Sequence, residues 1–193
     1  MFTRISLHSL AIPASLYVLA LLTGCQTPAP APLQLPAAQL SQLQQWQGHF
    51  SIKLGPWRQL SADGQSFTFY LQAGSDTGQL DLMTPLGTQL AQVNWTPQGS
   101  RVQSSEGTQQ FDSIGAMSQQ LLGEEVPLLA LPYWLQGIPS PDLPSASVAE
   151  DHSGFQQAGW HITTVGLGQG RLIANRPASP QQRDISIRIR LER

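Results

Sequence analysis

The sequence predicts a mainly β protein in which a curved antiparallel sheet is covered by a short helical insertion. Apolar and polar residues alternate over many short segments, which is typical of half-buried strands. One block, residues 112–136, instead carries apolar residues at helical spacing. A sheet with one apolar face must bury that face against another element, and this block is the obvious cover. From the pattern alone, the space beneath the cover is either a packed core or a cavity.

Residues 1–24 are predicted to be a lipoprotein signal peptide. Arg4 precedes an apolar run, residues 11–22, that is shorter than the roughly 20 residues a spanning helix needs and fits the h-region of a secretory signal. The run ends in Leu22-Thr23-Gly24-Cys25, which resembles the lipobox of bacterial lipoproteins. Cys25 is the single cysteine of the chain, and a lone thiol has no evident use in an oxidising compartment. We therefore expect lipid on Cys25, the alternative being an ordinary cleaved signal followed by a chance cysteine.

Residues 25–39 are predicted to form a lipidated tether. Pro, Ala and Gln dominate residues 26–36, which carry no charge and no pattern that would build a core. A Pro-rich ligand for a partner module is the alternative. The lipid would anchor the protein to a membrane without spanning it. Gln26 follows the cysteine, where an aspartate commonly retains similar lipoproteins in the inner membrane, so we expect the outer membrane.

Composition narrows the function classes. The formal net charge is −2, it becomes more negative when Arg4 is removed, and no basic block is present, so nucleic acid is not an expected partner. The chain has no Gly-rich phosphate loop, nucleophile elbow or HExxH motif. His49, His152 and His161 are too far apart to suggest a shared metal. We predict no enzyme, no metal and no cofactor apart from the covalent lipid.

The folded domain is predicted to span residues 40–193, with a short helix over residues 37–45 near its start. Strands follow, and the tight turn Pro85-Leu86-Gly87 separates the third from the fourth. Leu86 should project into solvent from this turn. The expected strands of this half are residues 48–54, 66–72, 79–82, 90–95, 99–104 and 107–111.

Two helices are predicted in the middle of the chain. Asp112 is a suitable N-cap for a helix whose apolar positions run from Ile114 to Leu122, and Gly123 is a C-terminal stop. The second helix, residues 128–136, contains Pro132, which divides such a helix into two short pieces.

Strands return after a Pro-rich loop, residues 138–144. They are expected at residues 159–165, 171–175 and 184–191. The last is the clearest, because isoleucines alternate with Ser186, Arg188 and Arg190, whose side chains should point outward. A solvated face explains these arginines most simply, and contact with an acidic carrier or a lipid headgroup is the alternative. Trp95 and Trp160 are expected in the core.

Three stretches of the domain, taken with the lipobox, resemble the LolB family of lipoprotein localisation factors. The Pro-Leu-Gly turn and the Trp-Leu-x-Gly-x-Pro segment are the most specific parts of this resemblance. Order and spacing along the chain also fit. The stretches are Phe67-Thr68-Phe69-Tyr70-Leu71-Gln72 with Leu80-Asp81-Leu82-Met83-Thr84-Pro85-Leu86-Gly87-Thr88, then Leu131-Pro132-Tyr133-Trp134-Leu135-Gln136-Gly137-Ile138-Pro139, and Gly159-Trp160-His161-Ile162.

The resemblance implies an incomplete antiparallel β-barrel closed by helices around a hydrophobic cavity that receives acyl chains. It implies an outer-membrane receptor, facing the periplasm, that accepts acylated lipoproteins from a LolA-like periplasmic carrier and inserts them into the membrane. We expect a monomer. The alternatives are a lipid-anchored binding protein for another hydrophobic ligand and a structural outer-membrane lipoprotein.

The resemblance also implies functional residues. In similar proteins the turn at Pro85, Leu86 and Gly87 is a protruding loop whose leucine helps deliver lipoproteins into the membrane. A leucine folded back on the core is the alternative for Leu86. Candidates to line the acyl-chain cavity, or else to fill a packed core, are Phe67, Phe69, Leu80, Leu82, Tyr133 and Trp134.

Overall fold

One antiparallel sheet dominates the computed structural model, which describes residues 43–144, 147–148 and 153–192. Eleven strands are present in these residues, in the order β6-β5-β4-β3-β2-β1-β11-β10-β9-β8-β7, and the sheet is curved without closing. The predicted fold class, an incomplete antiparallel barrel with a few short helices, is confirmed.

The strands and helices follow in chain order. The strands before the helical insertion are β1 (Gln44–Leu54), β2 (Asp63–Ala73), β3 (Gly78–Met83), β4 (Gln89–Thr96), β5 (Gly99–Ser104) and β6 (Gly107–Phe111). The insertion contains α1 (Ile114–Leu122), a 3-10 helix (Leu128–Ala130) and α2 (Leu131–Trp134). The remaining elements are β7 (Ser147–Val148), β8 (Gly154–Gln157), β9 (Trp160–Thr163), a 3-10 helix (Leu167–Gln169), β10 (Arg171–Arg176) and β11 (Ile185–Leu191).

Strand β1 lies at the centre of the sheet because it pairs with both β2 and the C-terminal strand β11. Phe50 of β1 faces Phe67 on one side and Ile189 on the other. The inward residues of β1 and β11 alternate with exposed ones, as the period of two predicts. The same alternation on the neighbouring strands places one apolar face on the inside of the curve.

The helical insertion connects the two edge strands, β6 and β7, and so crosses the sheet from one edge to the other. Helix α1 begins after Ser113, whose hydroxyl accepts a hydrogen bond from the Ala116 amide at 3.0 Å. The N-cap is therefore Ser113 and not the predicted Asp112. The predicted stop at Gly123 is confirmed, since this residue has a left-handed conformation with φ of 70°.

The second predicted helix is divided as its proline suggested. A 3-10 turn, Leu128–Ala130, leads into α2, and Pro132 lies in the first turn of α2, where its missing N–H costs no hydrogen bond. All four residues of α2 are buried, whereas Leu129 in the middle of the 3-10 turn is exposed.

Other differences occur where tertiary pairing outweighs local pattern. The helix predicted over residues 37–45 is wrong at its end, because Gln44 and Gln45 pair with β2, while residues 37–42 lie outside the described part of the chain. Strands β7 and β8 were not predicted. Strand β8 mixes buried Gly154, Phe155 and Gln157 with a single exposed residue, so no apolar period marks it in the sequence.

Candidate functional site

An apolar cavity of about 360 Å³ lies between the inner face of β1 to β5 and helix α1. We call it the α1 cavity. The strands contribute Phe50, Ile52, Gln65, Phe67, Leu80, Leu82, Leu90, Ala91, Val93 and Val102, and the insertion contributes Met117, Ser118, Leu121, Leu122, Val126 and Leu128.

The wall of the α1 cavity is almost free of polar groups. Gln65 and Ser118 carry its polar side chains, and no lining side chain is charged. The Ser118 hydroxyl donates to the Gly115 carbonyl at 3.0 Å and accepts from the Val126 amide at 3.0 Å, so its hydrogen bonds are made within the insertion. Cavities of about 300 to 1,000 Å³ with mostly apolar walls are typical of sites for small hydrophobic ligands. This wall can bind hydrocarbon, and it offers little to a polar ligand.

Two leucines at the edge of the α1 cavity remain accessible to solvent. Leu90 of β4 is 40% exposed and Leu121 of α1 is 49% exposed, although both line the cavity. Since large apolar side chains gain by leaving water, this rim is suited to receive an apolar ligand entering between β4 and α1.

Three of the predicted lining residues, Phe67, Leu80 and Leu82, lie in the wall of the α1 cavity. A fourth, Phe69, is only 2% exposed and packs against Phe50, with the ring centroids 6.5 Å apart in an edge-to-face arrangement. Phe69 therefore packs against a residue of the wall and does not line the cavity itself.

The other two predicted lining residues, Tyr133 and Trp134, lie in packed core and not in the wall of the α1 cavity. The indole Nε1 of Trp134 donates to the Gln157 side-chain oxygen at 3.1 Å, and its ring centroid is 5.9 Å from that of Trp160. Burial raises the pKa of the Tyr133 phenol, and the Asp142 and Asp76 carboxylates add to this shift, so the phenol stays neutral at physiological pH. Trp95 and Trp160 are core residues, as predicted.

The turn at residues 84–88 projects Leu86 into solvent, where it is 96% exposed. The Gly87 amide donates to the Thr84 carbonyl at 2.9 Å, and the Thr84 amide donates to the Thr88 carbonyl at 2.8 Å, so the turn is closed by its own backbone. Gly87 has a φ of 85°, in the left-handed region that residues with side chains rarely adopt. Proline and glycine therefore hold Leu86 at the tip of a short, stiff turn.

The predicted lipidation site, Cys25, and the tether lie outside the described residues. No helix in the described ranges is long and apolar enough to cross a membrane. Within the same ranges no three His, Cys, Asp or Glu side chains are grouped as a metal site would require.

A buried charge cluster, formed by Glu124, Arg176 and Arg183, connects the insertion to β10. Glu124 forms ion pairs with Arg176 and with Arg183, and all three side chains are less than one tenth exposed. Arg176 also donates to the Glu125 carbonyl at 3.1 Å, and Arg183 donates to the Leu122 carbonyl at 2.8 Å. These contacts hold the end of α1 against the other half of the sheet. More than fifty residues separate Glu124 from Arg176, so no local motif indicated the pair.

The family model and the curated relatives that match this chain all carry the same family name. The family model described as "Outer membrane lipoprotein LolB" matches residues 34–192. Proteins named outer-membrane lipoprotein LolB from Ralstonia nicotianae and Chromohalobacter salexigens are 32% and 28% identical to this chain, each match covering 76% of this chain and 72% of the relative. The protein of the same name from Thiobacillus denitrificans is 28% identical, over 76% of this chain and 78% of its own.

Proposed function

The chain belongs to the LolB family of outer-membrane lipoproteins, and from that premise we propose that it accepts acylated lipoproteins from a periplasmic carrier and inserts them into the outer membrane. The observation that carries this proposal is the α1 cavity, an uncharged pocket with an accessible apolar rim. In this proposal the cavity holds acyl chains, lipid on Cys25 keeps the domain on the periplasmic side of the membrane, and the turn at Leu86 contacts the bilayer.

The physical problem is the cost of exposing hydrocarbon to water. At roughly 0.8 kcal/mol per methylene, an acyl chain of about 16 carbons costs on the order of 10 kcal/mol to expose. A transfer that passes from one apolar wall to another avoids this cost. The rim leucines Leu90 and Leu121 extend the apolar wall to the surface, which supports direct handover from the cavity of a carrier. The direction is then set by increasing affinity from carrier to receptor to bilayer.

Leu86 is proposed to act at the last step. Full burial of a leucine side chain is worth about 2 kcal/mol, so one exposed leucine on a stiff turn can enter the membrane interface without holding the protein there permanently. Pro85 and Gly87 fix the turn, and their rigidity reduces the entropy lost when the tip inserts.

Transfer of a labelled lipoprotein from its carrier to liposomes tests the proposal. The protein should stimulate this transfer catalytically, whereas a storage protein for another lipid would retain the cargo or fail to take it. Leu86→Glu should still take cargo from the carrier, because Leu86 does not line the α1 cavity, but should lose most insertion into liposomes.

A matched control is Leu60→Glu, which places the same charge on another exposed leucine, 53% accessible, in the loop between β1 and β2. This control should insert lipoproteins normally. Normal insertion by Leu86→Glu would contradict the role assigned to the turn, and absence of transfer by the unaltered protein would contradict the proposed function itself.

A further inference from the structure

The outer face of the sheet carries a groove of about 560 Å³. Phe50 and Phe67 contribute to the walls of both this groove and the α1 cavity, which lies on the inner face of the same strands. The outward residues of its wall alternate along their strands with the buried Phe50, Leu172 and Ile189, so their side chains lie on the face turned away from the core. We call this the outer groove. Its outward wall includes His49, Arg171, Ile173, Arg188, Arg190 and Val165, and Pro85 lies at one end.

Positive charge is concentrated in the outer groove by the register of three strands. Arg190 of β11 lies directly opposite Arg171 of β10 on one side and opposite His49 of β1 on the other. Arg188 lies two residues along β11 on the same face, about 7 Å from Arg190 along the strand. Like charges placed directly opposite on neighbouring strands destabilise a sheet, so an anion bound here would relieve repulsion.

These charges are poorly neutralised by the protein itself. Across the described residues, no carboxylate lies within ion-pair distance of Arg171, Arg188 or Arg190. Arg171 donates a hydrogen bond to the neutral Gln169 side chain, and His49 lies 3.6 Å from the Glu192 carboxylate. The whole chain has a net charge of −2, whereas the outer groove is positively charged. Its charge is therefore a local feature and does not follow from the overall charge of the protein.

Exposed apolar side chains border the same groove. Pro85 contributes to its wall and is followed directly by Leu86, which is 96% exposed. Val165, after β9, also lines the groove and is 75% exposed. Guanidinium groups beside exposed apolar side chains suit a lipid surface. The lipid phosphates bind the guanidinium groups, and the apolar side chains enter the membrane interface. An acidic protein surface would match the arginines but would leave Leu86 and Val165 without an apolar partner.

We propose that the outer groove docks the domain on an anionic membrane surface, with Arg171, Arg188 and Arg190 binding lipid phosphates while Leu86 and Val165 enter the interface. Arginine fits this task because its planar group donates paired hydrogen bonds to phosphate. The inference rests on the proposed function in taking a membrane as the site of delivery. It adds the lipid class that is recognised and the face of the sheet that recognises it. The outer groove would orient the domain so that the turn at Leu86 meets the bilayer.

Vesicle flotation tests this inference without cargo. The Cys25→Ala chain, produced without residues 1–24, lacks both the predicted anchor and the apolar signal segment, so its binding reports on the folded domain. We expect it to bind vesicles of phosphatidylcholine containing phosphatidylglycerol, to bind pure phosphatidylcholine vesicles at least tenfold more weakly, and to be released by salt. Adding Arg188→Gln and Arg190→Gln should weaken binding to the anionic vesicles about tenfold or more and reduce its dependence on salt. Both arginines are exposed and lie opposite no carboxylate, so the variant should fold normally.

The matched control removes the same charge elsewhere. Arg58→Gln with Arg101→Gln replaces two exposed arginines that do not line the outer groove, and it should bind anionic vesicles nearly as the parent does. Equal loss of vesicle binding in both double variants, or no loss in the Arg188 and Arg190 variant, would overturn the inference. Equal binding of the parent to neutral and anionic vesicles would also overturn it.

Loss of carrier binding by the Arg188 and Arg190 variant, with unchanged vesicle binding, would instead assign the groove to an acidic protein. Carrier-to-liposome transfer by the unaltered protein, measured in parallel, judges the proposed function separately.

Discussion

The two halves of the sheet's inner face are covered in different ways. The inner face of β1 to β5, the open half, faces α1 across the α1 cavity, and several of its lining residues are half-buried or exposed. The inner face of β8 to β11, the packed half, is filled by α2 and by its own tryptophan and isoleucines, with Trp134, Ile187 and Ala174 at 0% exposure. One sheet thus combines a rigid frame with a surface that has room for a ligand.

The capacity to bind a ligand in this incomplete barrel arises where the helical cover does not fill the space above the sheet. Packed side chains have no volume to offer, and displacing them costs stability. Where the helical cover packs loosely on the sheet, apolar surface stays in contact with solvent. A ligand that covers this surface removes it from water, which favours binding. The Glu124 cluster joins the two halves, because it ties the end of α1 to Arg176 of the packed half.

Trp134→Ala should produce the largest loss of stability, about 4 kcal/mol, since it empties a fully buried site and leaves Gln157 without one hydrogen-bond donor. Phe67→Ala, in the open half, should cost less than about 2 kcal/mol, because Phe67 is only partly buried and already borders a cavity. Urea unfolding of both variants measures the difference. Equal losses would mean that the halves are packed alike.

Glu124→Gln should cost about 3 kcal/mol, because it leaves two buried arginines without their shared carboxylate. The neighbouring Glu125→Gln is the control, since the Glu125 side chain is exposed and should contribute less than about 0.5 kcal/mol. Urea unfolding gives the free energies, and hydrogen exchange of α1 amides should rise in the Glu124 variant alone. Unchanged exchange in α1 would show that the cluster does not hold the cover.

Enlarging one alanine in each half should give the smallest and most contrasting effects. Ala174→Phe, in the packed half, should lose about 2 kcal/mol by overpacking against Ile187. Ala91→Phe, which points into the α1 cavity, should change stability by less than about 0.5 kcal/mol while reducing uptake of a fluorescent acyl probe several-fold. Thermal unfolding and probe titration separate the two results. A large destabilisation by Ala91→Phe would indicate that the cavity has no spare volume.

Much of the fold could be predicted from the sequence, because apolar and polar residues alternate along the strands just as buried and exposed residues do in the structure. Ile185, Ile187 and Ile189 point inward and Arg188 and Arg190 outward, as the period of two requires. The helical insertion was predicted from its apolar spacing, and the end of its first helix at Gly123 and the division of its second at Pro132 from the backbone demands of those residues. The exposure of Leu86 was expected from the tight turn together with the family resemblance, because the turn alone left a leucine folded back on the core as an alternative.

The assignment of apolar residues to core or cavity could not be predicted in the same way. Phe67 and Trp134 are both inward aromatic residues in the sequence pattern, but one borders the α1 cavity and the other is completely packed. Hydrophobicity drives a side chain out of water without deciding what it meets inside. That depends on how closely α1 and α2 approach the sheet.

Most of the strands, the helical insertion, the stiff turn at Leu86 and the family resemblance could be recognised from the sequence, because all of these are local patterns of residue type and backbone preference. Three features are present only once the chain has folded: the α1 cavity, the Glu124 cluster and the row of His49, Arg190 and Arg171 across three strands. Each of these joins residues that are far apart along the chain. Their meeting depends on strand register and on the path of the insertion across the sheet, which no local pattern encodes.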